Sequence, residues 1–321
     1  MDKKVKRLGL NLALFGALSL GSFVNAQETS VTGQEIVRIK GVKFVDALLE
    51  KWVSEYSKKY PDVLLPTVGK EGGDYSVEVS PFGKQKEKDA LETGETIIPF
   101  GRYAVLPIVG EGNVLLGELG KKKLNGKRLK ALFFEKDYLS GEEEEDSKGK
   151  LSGATVYSNN DSRSVSHSFA AHFGYEANSL KGKRIAGDDI YLNNAVTKDA
   201  TGFSFNNLSY IYDTKSRQLR EGLILIPLDV KKEDAEVLNT QNLDETIALL
   251  ESKTIDLIPV EDFVFVLPEK TDAATLRFVK WALSEGQEYV HTFGFLRLDS
   301  KTLAQEQKQL SALETLFLAN K

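Results

Sequence analysis

The 321-residue sequence predicts an α/β protein long enough for two lobes with separate cores. Three observations lead there. An amphipathic helix lies between two short β-rich runs over residues 36–68, a second β run feeds a second helix over residues 154–173, and some 295 residues remain once a leader-like segment is set aside.

The leader is read first. Lys3, Lys4, Lys6 and Arg7 precede an apolar stretch over residues 8–24, and Val24-Asn25-Ala26 forms a small-residue cleavage signature before Gln27. This pattern predicts an export signal cut after Ala26 and a periplasmic mature chain. No later apolar run approaches the length of a membrane span. Removal of four cations and one anion, Asp2, shifts the formal charge from −5 to −8, which disfavours a nucleic-acid partner. The chain has no cysteine, so disulfides, thiol nucleophiles and cysteine metal sites are excluded. Its one methionine is Met1, so the mature chain would contain no sulfur.

The first helix follows from its spacing. Val45, Leu48, Leu49, Trp52, Val53 and Tyr56 recur on one face, with Glu50, Lys51, Glu55 and Lys58 on the other. It follows the β-rich IVRIK and ends before Pro61, after which PDVLLPTV restarts as a strand. In such a β-α-β unit the helix N-terminus lies at the carboxyl end of the first strand, where open α/β sheets bind ligands. Residues 41–46 are therefore a candidate site. Residues 67–88, rich in Gly, Glu and Lys, read as a loop, and the run at residues 142–146 reads as a solvated acidic loop without the alternating oxygen ligands of a calcium site. His167 and His172 are five apart and do not share a helix face, so zinc is not indicated.

The second β-to-helix passage is GATVYSNNDSRSVSHSFAAHFG. Its helix start gathers Ser162, Ser164, Ser166 and Ser168 beside Arg163, a setting suited to an anion; capping by Asp161 or Ser162 explains the same residues. Ser166 and His167 are adjacent, yet neighbours on a helix point apart, and no serine stands beside a base and an orienting acid in recognisable spacing. No enzyme is indicated.

Two distant segments, GVKFVDALLEKWVSEYSKKYPDV (41–63) and LRFVKWALSEGQEYVHTFGFLRL (276–298), resemble the periplasmic phosphate-binding (PstS-like) proteins of ABC importers, with patterns such as GSTTVAPLxxxWxxxYxxxxPxV and FxxWxxxxGQxxxxxxGYxxL. Between them ALETGETIIPFGR, YAVLPIV, LNGKRLKALFFEKD, AVTKDATGFSFNNLSYIYD and DLIPVEDFVFVLPEK resemble further family segments in order, so the likeness spans most of residues 36–298. It implies a type II periplasmic binding protein: two α/β lobes joined by two crossing strands with a ligand cleft between them. Lobe one would comprise residues 27–106 with 261–321, and lobe two residues 107–260. The implied function is capture of a small oxyanion and delivery by hinge closure to an importer permease, by a monomer without cofactor, metal or catalytic residues.

The resemblance carries departures. The family's GSTT is here Gly41, Val42, Lys43 and Phe44; the GSGT of RxDGSGTxxxF is Ser162, Arg163, Ser164 and Val165; and its arginine position holds Asn159. Asp161 and Phe169 match, as do Gly94 and Arg102 in the LxxGxxDIAxSSR element, while a backbone anion loop would fall at Gly72-Gly73-Asp74. The expected ligand contacts are Lys43 and Phe44 from lobe one, Arg102 near the hinge, and Ser162, Arg163 and Ser164 from lobe two. The missing carboxylate after the DIA segment leaves sulfate or another anion open as ligand. The lost hydroxyls leave a second reading open, a degenerate binding-protein fold serving as an envelope scaffold or interaction module.

Overall fold

The computed structural model describes residues 34–68, 74–135, 151 and 153–319. The expected leader, Gly72 and Gly73, and the acidic run at 142–146 lie outside the described residues. In chain order the elements are β1 (Glu35–Ile36), β2 (Ile39–Lys40), a 3-10 turn at Lys43–Val45, α1 (Asp46–Lys59), β3 (Val63–Leu64), β4 (Thr67–Val68), β5 (Val77–Pro81), α2 (Lys84–Thr93) and β6 (Thr96–Gly110). There follow α3 (Leu116–Lys121), α4 (Gly126–Phe133), β7 (Thr155–Asn159), α5 (Val165–His172), β8 (Lys183–Ile185), α6 (Ile190–Lys198), β9 (Gly202–Asn207) and α7 (Leu208–Ile211). The chain closes with β10 (Leu223–Leu225), α8 (Lys232–Asn239), α9 (Leu243–Ser252), β11 (Val260–Leu267), α10 (Ala273–Ala282) and α11 (Ser300–Ala319).

The first β-α-β unit forms as its spacing predicts. Leu48, Leu49, Trp52 and Tyr56 of α1 are buried, and β1 and β2 pair in parallel with β3 and β4 across the helix. Trp52 is fully buried and its indole N–H donates to the Gly286 carbonyl at 2.8 Å, joining the two distant anchor segments. A Cβ at Gly286 would stand 3.1 Å from that indole nitrogen, so the close approach favours glycine. Residues 67–88 are not one loop. They hold β4, β5 and the start of α2; the Gly, Glu and Lys content that signals a loop conceals a strand whose first four residues are all buried, Glu78 included.

The main sheet runs β4-β2-β5-β11-β6-β9-β7-β8, with β10 also paired to β6. One strand, β6, serves both halves: residues 96–104 pair with β11 and residues 105–109 with β9. The chain comes back beside it, Val105 N–H donating to the Pro259 carbonyl at 2.9 Å before β11 begins. The first half of this sheet therefore joins strands from both ends of the described chain and packs around Trp52, Phe100, Phe263 and Phe265. The second packs Phe169 on Phe205 with ring centroids 3.8 Å apart and on Phe133. At the end of β6 a Cβ on Gly110 would lie 2.3 Å from the Val196 carbonyl oxygen of α6, so only glycine lets strand and helix meet. Among the described residues no helix is long and apolar enough to cross a membrane.

Candidate functional site

Two sets of strand ends face one cavity of about 1080 Å³. One wall is the segment after β2 (Gly41, Val42, Lys43, Phe44), the first turns of α1 (Asp46, Leu49, Glu50) and the end of β4. The opposite wall is the turn between β7 and α5 (Asn159 to Ser164) and the segment entering α6 (Ala186 to Asp189, with Tyr191). Each wall lies at the carboxyl end of parallel strands, where unpaired backbone donors and helix N-termini collect.

On the first wall Lys43 is mostly exposed and its ammonium lies 3.2 Å from the Asp46 carboxylate. That hydrogen bond and charge hold the Lys43 pKa above its ordinary value, with weaker contributions from Asp188 and Glu50. Phe44 lines the cavity but its side chain is 5% exposed. Its ring packs at centroid distances of 5.3 Å on Tyr103, 5.2 Å on Phe263 and 6.4 Å on Tyr210, which makes it the floor between the lobes.

The second wall is tightly hydrogen-bonded to itself. Asn159 Oδ1 accepts from Asp161 N–H, Asp161 Oδ1 from Arg163 N–H, and Ser164 Oγ from Ser166 N–H. Asp189, 5% exposed, reaches in from the start of α6: one oxygen accepts from Val165 N–H at 3.0 Å and the other from the Asn159 amide at 2.8 Å. It stands at the N-cap of α6 yet makes no capping bond there; its carboxylate serves α5 instead. Burial pushes its pKa up to about 6 against the pull of those two hydrogen bonds. A carboxylate of the chain itself thus sits where the helix N-terminus would otherwise meet an external anion. Beside it Asp188 accepts from Ile190 N–H at 3.1 Å. The Tyr210 hydroxyl also bonds Asp188, and the Tyr210 pKa is raised by burial first and by that bond second.

The four serines divide. Ser164 caps α5, Ser166 Oγ accepts from Asn159 N–H at 2.8 Å, and Ser168 bonds the buried Tyr103 hydroxyl. Ser162 is exposed and faces the cavity. Arg163 also faces it, with 22% of its side chain exposed, and reaches across to 4.0 Å from Glu78 of β5. Lys40 lies 3.8 Å from the same Glu78 oxygen.

Of the six residues expected from sequence, the structure gathers Lys43, Phe44, Ser162, Arg163 and Ser164 around one cavity. Arg102 is not among them. Its guanidinium donates to the Arg297 carbonyl at 2.9 and 3.1 Å, and its backbone bridges to Leu296, so it ties the C-terminal segment to β6. It matched the family pattern by position along β6, but side chains alternate faces along a strand and position alone does not say which way one points. Asp46 lies within the candidate stretch 41–46, but sequence reading missed Glu50, Asp188, Asp189 and Tyr191 as lining residues. A Gly-Asp-Asp run before a helix was the available signal at the last three. His167 and His172 do not converge, and no group of three or more potential metal ligands occurs among the described residues.

No protein-family model and no curated protein sequence matches the chain. Solved structures do. An ABC-type phosphate transport receptor from Vibrio cholerae superposes with a TM-score of 0.55 at 10% identity, over 82% of this chain and 100% of that one. A putative phosphate ABC transporter substrate-binding protein from Clostridium perfringens, with bound phosphate, gives 0.53 at 16% identity, over 83% and 100%. The chain has the type II periplasmic binding-protein fold, the fold of these phosphate-binding proteins, and is divergent from them in sequence.

Proposed function

We propose that the chain is a periplasmic solute-binding protein that captures a ligand bearing a phosphate-like oxyanion between its lobes and presents it to an ABC importer. Residues 1–26 would be its export signal, residues 27–106 with 261–321 lobe one, and residues 107–260 lobe two. The observation that carries this reading is Arg163, a partly exposed guanidinium in a two-walled cleft, with Ser162 beside it and the backbone turn at Lys43 opposite. Closure follows because each wall supplies part of the site, so ligand favours the closed state. The two solved proteins of the same fold are described as phosphate-transport components, which agrees with this reading.

The test is titration calorimetry of residues 27–321 against phosphate, sulfate and organic phosphates, with Arg163→Ala beside the parent. Loss of one charge-assisted hydrogen bond should cost about 1.5–3 kcal/mol, or roughly ten- to a hundredfold in affinity; because Arg163 also stands 4.0 Å from the buried Glu78 carboxylate, the stability of the free variant is measured beside it. Equal affinity in the variant would move the site elsewhere. A second reading, a scaffold that has lost its ligand, is favoured by one observation: Asp189 already occupies the N-terminus of α5. It predicts no heat with any anion.

A further inference from the structure

We propose that the ligand of this cleft is a zwitterionic organic molecule, its oxyanion held by Arg163 and Ser162 and its ammonium group lying among Glu50, Asp188 and the ring of Tyr191. The inference rests on the solute-binding reading above and narrows it.

Size comes first. A tetrahedral oxyanion fills the space of a few waters, on the order of 100 Å³, whereas the cavity measures about 1080 Å³. Spaces of that scale hold organic molecules. The inner donors are also spent. Val165 N–H and the Asn159 amide are bound to Asp189, and the Arg163 N–H to Asp161, so the dense cage that would strip water from an inorganic ion is filled by the chain's own carboxylates.

Charge then decides the class. Carboxylates line the cavity together with Lys43: Asp46 and Glu50 from one wall and Asp188 from the other. Asp46 is matched by Lys43 itself. Glu50 and Asp188 are left as an acidic region inside the cleft, which opposes a bare dianion and suits a cation. The carboxylates do not carry this alone. Tyr191, a large side chain 49% exposed, stands in the same wall. Its ring lies against Gly187, which has a φ of +102°, and a Cβ there would come within 3.0 Å of the ring. Tyr191 follows Asp188 in one wall and Glu50 stands in the wall opposite, and an aromatic ring with carboxylates lining the same cleft is a combination that binds ammonium groups. Arg163 and Ser162 come from the turn before α5, and Asp188 and Tyr191 from the segment entering α6. The two ends of the ligand would therefore be read by different segments.

Titration calorimetry at neutral pH with O-phosphoethanolamine, glycerol 3-phosphate and inorganic phosphate tests this on residues 27–321, with Glu50→Gln and Asp188→Asn beside the parent. The first two probes share a phosphate monoester and differ in the ammonium. O-phosphoethanolamine should bind at least about tenfold more tightly than glycerol 3-phosphate, and either variant should erase most of that preference, weakening O-phosphoethanolamine while glycerol 3-phosphate, freed of one repelling charge, binds as tightly as before or more tightly. Glycerol 3-phosphate binding as tightly as O-phosphoethanolamine overturns the zwitterion assignment but leaves the oxyanion cleft standing. Inorganic phosphate binding most tightly of the three does the same. Heat from none of them removes the solute-binding reading beneath it.

Discussion

Phe44 separates floor from ligand contact, and replacing it gives a quantitative test. Its ring is 5% exposed and meets Tyr103, Phe263 and Tyr210 with centroids 5.2 to 6.4 Å away. Truncation to alanine removes the ring from a packed interior and should cost about 3–5 kcal/mol. Three aromatic neighbours at edge-on and tilted angles place the value in the upper half of that range, since each such pair adds roughly 0.5–1.5 kcal/mol beyond area. For a chain of this size each kcal/mol shifts the melting temperature by about 2–4 °C, so a loss of roughly 8–20 °C is expected. Phe44→Leu keeps most of the volume and should lose less than about 1.5 kcal/mol. Thermal and urea unfolding followed by circular dichroism measure both. If Phe44→Leu kept full stability and lost ligand affinity tenfold, and Phe44→Ala lost under 1 kcal/mol, the ring would be a ligand contact and the floor assignment would fail.

Other outcomes follow from single features. Arg217, at a φ of +62°, bonds the His291 and Thr292 carbonyls at 2.9 Å and pairs with Asp244; Arg217→Ala should lose about 1.5–3 kcal/mol, and Arg217→Gly should recover roughly 1 kcal/mol of that by relieving the left-handed backbone, an order that denaturant midpoints can contradict. Gly110→Ala forces a methyl group to 2.3 Å from a backbone oxygen, so a drop of about 1–3 kcal/mol is expected, and unchanged stability would show that β6 and α6 separate easily. Burial, with Asp262 beside it, pushes Glu261 from an ordinary 4.5 to about 7. The folded chain then holds this proton to higher pH than the unfolded chain, so ionisation of Glu261 weakens the fold as pH rises through that window. The stability of Glu261→Gln relative to the parent should therefore increase between about pH 5 and about pH 7.5, and a constant difference in urea midpoints would contradict it.

The fold was legible wherever periodicity and order along the chain both spoke. The stripe from Val45 to Tyr56 placed α1, and the ordered segments through YAVLPIV and DLIPVEDFVFVLPEK correspond to the crossing part of β6 and to β11. β5 was hidden although Val77, Glu78, Val79 and Ser80 alternate apolar and polar: the run is short, it lies among Gly, Glu and Lys residues that read as a loop, and both of its faces are buried, Glu78 included. At the site, the turns carrying Lys43 and Arg163 could be located because helix starts are written in local sequence. What each side chain does there could not. Arg102 points to a carbonyl that is 195 residues away in the chain, and Asp189 caps a helix other than its own. Both depend on which strands become neighbours, which a local pattern does not encode.

The sheet order carries a consequence for assembly. β11 lies between β5 and β6, so a strand made near the end of synthesis must enter between two made long before. Trp52 likewise waits for Gly286 before its indole has a partner. The strands β7, β8 and β9, by contrast, with α5 and α6, come from one continuous stretch that can close on itself early. An emerging chain should therefore hold an ordered middle and an unfinished beginning, with the apolar edges of β5 and β6 open until residues 260–267 arrive. A break shortly before Val260 would leave that gap unfilled and turn the beginning of the chain into a sticky edge, although every residue named in the cleft would still be present.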